Sequence, residues 1–347
     1  MNFARRIAPA VALFFLAPLI AEYLIGYLPA TGNFGEMIFG LLFLAPLYGG
    51  AAIIIREVAR RTGRGWPTIV LLGLAFGFFQ AGIIDHSLFN PSYLSIEGWP
   101  DVPNLTYIPL FGVSVYNVLT FIIGHVIWSI CAPIAIIETF VPRHERSKPW
   151  LGNFGMAVTS VLYLLGSAII FWGTAEEDQF LPSVSQFIGT AVVVAAFIAM
   201  AFIVRRQSRP PVNLSLPGPW VVGATSLVLL NMPTLIEIAL ELLGISSLFM
   251  MGWTGAALNL ALVWVLAVLV WRWSQRKGWS TAHILALVGG ALLTRAWMAF
   301  LITPISGDVA FLDKLIFNAV FFLGVVALLV AAAMKNKSYG GNVKHEA

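Results

Sequence analysis

Long apolar runs alternate along this chain with short basic stretches. Ten runs approach or exceed the roughly 20 residues that a helix needs to cross a hydrocarbon core: 8–28, 36–56, 66–88, 113–140, 151–172, 184–204, 219–243, 249–271, 280–302 and 313–334. None shows the strict alternation of a barrel strand. Lipid-exposed backbone has to be hydrogen-bonded within its own segment, so the runs predict helices. The expected fold class is all-α: a polytopic transmembrane helix bundle of about ten spans, forming one integral membrane domain over 1–347.

The charges orient this bundle. Eighteen of the 20 Lys and Arg residues fall in six stretches. These hold Arg5 and Arg6; Arg56, Arg60, Arg61 and Arg64; Arg143, Arg146 and Lys148; Arg205, Arg206 and Arg209; Arg272, Arg276 and Lys277; and Lys335, Lys337 and Lys344. The alternate connections hold Lys314 and most of the acids, among them Glu36, Asp85, Glu97, Asp101, Glu176, Glu177, Asp178, Asp308 and Asp313. Basic loops stay on the cytoplasmic side during insertion. A multi-pass protein of the cell membrane is expected, with both termini inside. Arg5-Arg6 before an apolar run resembles a signal peptide, but the run is long enough to span and no small-residue cleavage site follows. An uncleaved first helix is expected.

Composition narrows the function classes. The chain is 59% hydrophobic and 10% charged, where a soluble domain carries about 25% charge. Its net charge of +4 is spaced as loop anchors, with no separate basic patch, so no nucleic-acid partner is expected. The lipid bilayer is the expected surrounding. Cys131 is the single cysteine, which rules out an internal disulfide or a thiolate metal cluster. No zinc-binding, nucleotide-binding or nucleophile-elbow motif occurs, and no metal or cofactor is expected.

Four spans begin with Trp beside a basic stretch: Trp66, Trp150, Trp220 and Trp279. Such rings sit at headgroup level and act as rulers at about 1.5 Å per residue. On that scale Gln80, Glu237 and Arg295 share one height. His125, Glu22 and Asn318 fall near it, with Asp85 and His86 slightly above. Asn90 opens the long connection 89–112, whose prolines and aromatics suggest an ordered outer cap. Ionisable groups at membrane depth usually face a bundle interior or water cavity. The layer therefore predicts an outward-facing polar cavity, with interhelical glue as the competing reading. A pair between Glu237 and Arg295 is expected, with Glu241 one turn further out. Pro233 invites a kink in the helix that carries Glu237. Glu138 is expected to pair with Arg143 and Arg146, and Arg56-Glu57 to belong to the same boundary. His283 has no evident partner.

Helix three reads Gly77-Phe78-Phe79-Gln80-Ala81-Gly82-Ile83-Ile84-Asp85-His86, and helix four contains Phe121-Ile122-Ile123-Gly124-His125. The segment from Arg56 through Pro91 resembles a group of uncharacterised bacterial multispanning membrane proteins. More distantly, these helices resemble the CAAX-protease and bacteriocin-processing family of glutamic intramembrane proteases, which pairs Glu-Glu-x-x-x-Arg on one helix with Phe-x-x-x-His on the next. Phe121 and His125 match the second motif. Gln80-Ala81 stands where the first group places Glu-Glu, and Asp85 stands where the motif's Arg would be. In that family's chemistry a glutamate activates water and a histidine supports the oxyanion. A general base has to take a proton, and Gln80 does not. The resemblance thus implies a protease-like, non-hydrolytic scaffold binding a lipid, peptide or protein partner. Two alternatives stand beside it: a permease for a small solute, and a hydrolase using Asp85 and His125.

Overall fold

The computed structural model describes residues 3–91, 93, 101–204, 211–246, 248–305 and 309–341. The predicted basic positions Arg205, Arg206, Arg209 and Lys344 lie outside them, as does much of the first half of connection 89–112. Ten helices among the described residues are long and apolar enough to cross a membrane. They are span 1 (Arg6–Tyr23), span 2 (Phe34–Arg61), span 3 (Trp66–Ile84), span 4 (Val115–Phe140), span 5 (Asn153–Glu177), span 6 (Val184–Ile203), span 7 (Pro219–Leu242), span 8 (Trp253–Ser274), span 9 (Thr281–Met298) and span 10 (Phe311–Ser338). The expected bundle is thus present. The ends shift where charges continue a helix: span 2 runs past the expected 56 to Arg61.

Span 4 is the hub, packed against spans 1, 2, 3, 9 and 10. Its most apolar window is 67% buried, against 11% for spans 6 and 8, which lie at the rim. Span 5 leans on span 2, span 6 on span 3, and span 8 on span 7. Spans 7 and 9 touch backbone to backbone. A Cβ on Gly290 would stand 2.5 Å from the Gly223 carbonyl oxygen, and one on Gly223 would stand 2.9 Å from that of Ala286. Small residues at such crossings let helices gain dispersion contacts that lipid does not supply.

Contacts between connections divide the molecule into two faces. On the first, Arg64 Nη2 donates to the Phe202 carbonyl at 2.6 Å and Arg146 donates to Thr281. Lys277 N–H donates to the Val212 carbonyl at 3.0 Å. The basic connections therefore meet on one face, as their alternation predicts. On the opposite face Gln186 reaches the Gly112 carbonyl at 3.2 Å, and Ile305 N–H reaches the Tyr27 carbonyl at 2.8 Å. Here the described part of connection 89–112 folds into a short helix, Asp101–Asn104, and a hairpin pairing Tyr107–Ile108 with Val113–Ser114.

The tryptophan rulers need one correction. Trp220 is 90% exposed, as a headgroup-level ring should be, but Trp150 is only 3% exposed. The Arg56 guanidinium lies 3.5 Å from the centre of a Trp150 ring. The ring is drawn inward because a buried cation gains strongly from an aromatic face where water is excluded.

Candidate functional site

Each of the first four spans contains a π-helical segment, in which backbone bonds reach five residues back rather than four. Leu24 N–H donates to the Leu19 carbonyl at 3.0 Å, and Asp85 N–H to the Gln80 carbonyl at 2.9 Å. In span 2 the segment Ala45–Gly49 contains Pro46, which has no N–H to offer the α pattern. Such bulges occur mostly as single turns, often where function places a side chain. In this chain the segments carry Glu22 (Leu19–Tyr23), Tyr48 (Ala45–Gly49), Gln80 (Gln80–Ile84), and His125 with Ser129 (His125–Cys131).

These side chains are buried among the helices, with exposures of 8% for Glu22, 4% for Tyr48, 1% for Gln80 and 8% for His125. The Tyr27 hydroxyl donates to Glu22, and Tyr48 is within reach of the same carboxylate. Arg295 enters from span 9. Its Nη1 donates to the Ala21 carbonyl at 3.3 Å, and its guanidinium lies 4.2 Å from the centre of a Trp128 ring. Glu22 is the acid acting most strongly on it, and its charge also reaches His125. Gln80 Nε2 donates to Asp85 Oδ2 at 3.2 Å, and Ser87 N–H donates to Asp85 Oδ1 at 3.0 Å. His125 Nδ1 pairs with Ser129 Oγ at 3.1 Å, and its ring packs against Tyr48 and Phe76. No hydrogen bond joins Asp85 to His125 among the described residues. Gln80 Oε1 and His125 Nε2 are both buried without a hydrogen-bond partner. An unmet buried polar atom costs about 1–3 kcal/mol, so two of them on adjoining helices mark a place built to receive something.

The other predicted positions lie around this cluster or away from it. His86 has a left-handed backbone (φ 59°) and turns its ring edgewise to Phe171 and Phe187. Burial holds its pKa below the ordinary histidine value. Asn90 donates to Asp178 at 2.6 Å, tying the cap to the end of span 5. Asn318 donates to the Ala299 carbonyl at 2.9 Å and packs on Gly26. Glu237 is partly buried beside Glu241 and Tyr116. The expected Glu237–Arg295 pair does not form: the arginine turns toward span 1, where Trp128, Ala21 and Glu22 meet it. Matching depth did not mean matching azimuth. Span 7 continues through Pro233 as helix, and Asn231 beside it bonds Leu227, Thr294 and Trp297. Sequence reasoning missed Tyr27, Tyr48 and Ser129, whose signal was a hydroxyl at the depth of the charged layer.

Asp85 gives a direct test of this environment. Burial raises its pKa from 3.8 to about 6, against the opposing pull of its Ser87 and Gln80 bonds. A folded pKa above the unfolded one means that the folded state binds the extra proton. Stability is then fully present below about pH 4 and falls as pH rises to about 6, by roughly 3 kcal/mol. Asp85→Asn is expected to lack this decline and to melt higher than the native protein at pH 7. Melting curves of both proteins across that window check it, and parallel curves would refute it.

A second assembly sits on the basic face. Arg56 and Glu57 are completely buried and joined at 2.7 Å. Glu138 binds Arg56 at 3.2 Å and Arg60 at 2.7 Å, which corrects the expected pairing with Arg143 and Arg146. Glu57 also accepts the Trp150 and Leu151 N–H groups at 2.8 and 3.2 Å, and Arg56 Nη2 donates to the Arg146 carbonyl at 2.7 Å. Arg143 instead rims an adjoining cavity of about 210 Å3, shared with Arg60, Trp66, Glu138 and Thr281. His283 gains partners too, capping its own helix through Ser280 and meeting the Pro217 carbonyl at 3.2 Å. This network pins spans 2 and 4 to the connection after span 4, and its polar atoms are largely satisfied.

Comparison with curated proteins and with solved structures finds no match. A family model does match, over residues 11–337. That match covers all ten spans, and the chain belongs to an uncharacterised membrane protein family.

Proposed function

We propose that this multispanning membrane protein binds a polar group of a lipid or peptide at the Glu22–Gln80–His125–Arg295 cluster and does not hydrolyse it. The observation that carries the reading is the pair of unmet buried atoms, Gln80 Oε1 and His125 Nε2, on adjoining spans. Gln80 Oε1 calls for a hydrogen-bond donor, and Arg295 on the third side favours a carbonyl or an anionic oxygen. An amide or a hydroxylated headgroup offers both. Gln80 has no basic site for activating water. Asp85, the nearest carboxylate on span 3, holds the Gln80 amide and the Ser87 N–H. The sequence order of basic and acidic connections places this site toward the outer leaflet.

Native mass spectrometry of the purified chain tests the reading. The wild type is expected to carry a non-covalent ligand that Gln80→Leu/His125→Phe loses, and to leave a fluorogenic apolar peptide intact. Equal adducts on both proteins, or peptide cleavage by the wild type, would overturn it.

A further inference from the structure

A groove of about 1140 Å3 runs along the basic face, remote from the polar cluster. It is formed by span 1, the end of span 4, the connection that follows, and span 10. The volume exceeds the roughly 300–1,000 Å3 usual for sites that take drug-sized molecules. Its walls are apolar, with Ala12, Ile137, Phe140 and Leu328 along the membrane part. Three cations from three separate parts of the chain line it: Arg6, Lys148 and Lys335. The one acid lining the groove is Glu145, which already holds Lys148 at 2.9 Å and His144 at 3.3 Å.

We propose that this groove binds a phospholipid with an anionic headgroup. The phosphate and its negative substituent lie among Arg6, Lys148 and Lys335, and an acyl chain follows the wall from Phe140 toward Ala12. Charge decides the headgroup: three cations against one acid leave an excess that a zwitterionic lipid does not neutralise. Shape decides lipid over free phosphate, because an inorganic ion would leave the apolar wall unfilled. Basic pockets between spanning helices are suited to such headgroups. The site is separate from the interior cluster, so either can fail without the other.

The test uses the full chain in nanodiscs holding equal parts phosphatidylcholine and phosphatidylglycerol, followed by detergent exchange and native mass spectrometry. Phosphatidylglycerol is expected to remain bound in preference to phosphatidylcholine. Each cation removed should lower retention about fivefold, so Lys148→Gln/Lys335→Gln should lose more than tenfold. Ala12→Trp, at an exposed wall position, should abolish retention with all three cations in place. Arg272→Gln/Lys277→Gln, on another basic connection, should retain lipid as the wild type does, and millimolar inorganic phosphate should not displace it. Melting temperatures confirm that each variant is folded. Equal retention of both lipids, equal loss in the Arg272/Lys277 control, or displacement by phosphate would each overturn the proposal.

Discussion

Glu57→Ala is expected to cost about 3–5 kcal/mol, the range for breaking one side of a buried ion pair, and to remove most folded protein from detergent extracts. The residue is fully buried and meets four groups: the Arg56 guanidinium, the Arg61 side chain at 3.7 Å, and the N–H groups of Trp150 and Leu151. Truncation leaves both N–H groups without this acceptor and leaves Arg56 with Glu138 as its only acid. Either consequence alone falls in the range of about 1–3 kcal/mol. Glu57→Gln, which keeps one acceptor oxygen, should lie between alanine and wild type. Glu145→Ala, on the same face but in a partly exposed pair, should barely change the melting temperature. Thermal unfolding of the four proteins in one detergent gives the comparison. If Glu57→Ala melts with Glu145→Ala, the buried network is not what holds spans 2 and 4 to their connection.

Arg295→Leu should produce the second large loss, also about 3–5 kcal/mol, because Glu22 then keeps a charge inside the bundle without its opposing cation. The cation–π contact with Trp128 and the bond to the Ala21 carbonyl disappear as well. The decisive measurement is the double variant. Glu22→Gln removes the stranded charge while retaining an oxygen for the Tyr27 hydroxyl. Glu22→Gln/Arg295→Leu should therefore be more stable than Arg295→Leu alone, with a coupling of about 1–3 kcal/mol in the cycle. Additive losses would mean that the two charges do not sense each other, and the cluster would dissolve into separate contacts. Glu237→Gln/Arg295→Leu serves as the contrast and should show no such recovery.

Much of this architecture could be read from the chain. Hydropathy located all ten spans, because a lipid core penalises any other arrangement of that much apolar sequence. The basic connections foretold which loops meet. Depth counting brought Glu22, Gln80, His125 and Arg295 to one height, and the structure brings them together. It failed for Glu237, because height along an axis says nothing about the direction a side chain faces. It also failed for Arg56 and Glu57, which read as loop charges. Their burial depends on Trp150, Leu151 and Glu138, partners about 80 to 95 residues away, and no local pattern announces such a meeting. The π segments were equally hidden, since one extra residue in a long apolar run leaves hydropathy unchanged.

That extra residue has a consequence for how the length of the chain is constrained. A segment such as Gln80–Ile84 holds one residue more than an α-helical turn needs. Deleting any one of the five would let the helix rewind in plain α form without breaking a single span. Everything downstream, beginning with Asp85 and His86, would then swing by ~100° about the axis, carrying the cap away from span 5. Two sequences with the same hydropathy profile and the same ten spans would enclose different interiors. Within the first four spans, gaps in an alignment are therefore changes of chemistry, and a single missing residue there outweighs many substitutions on the rim.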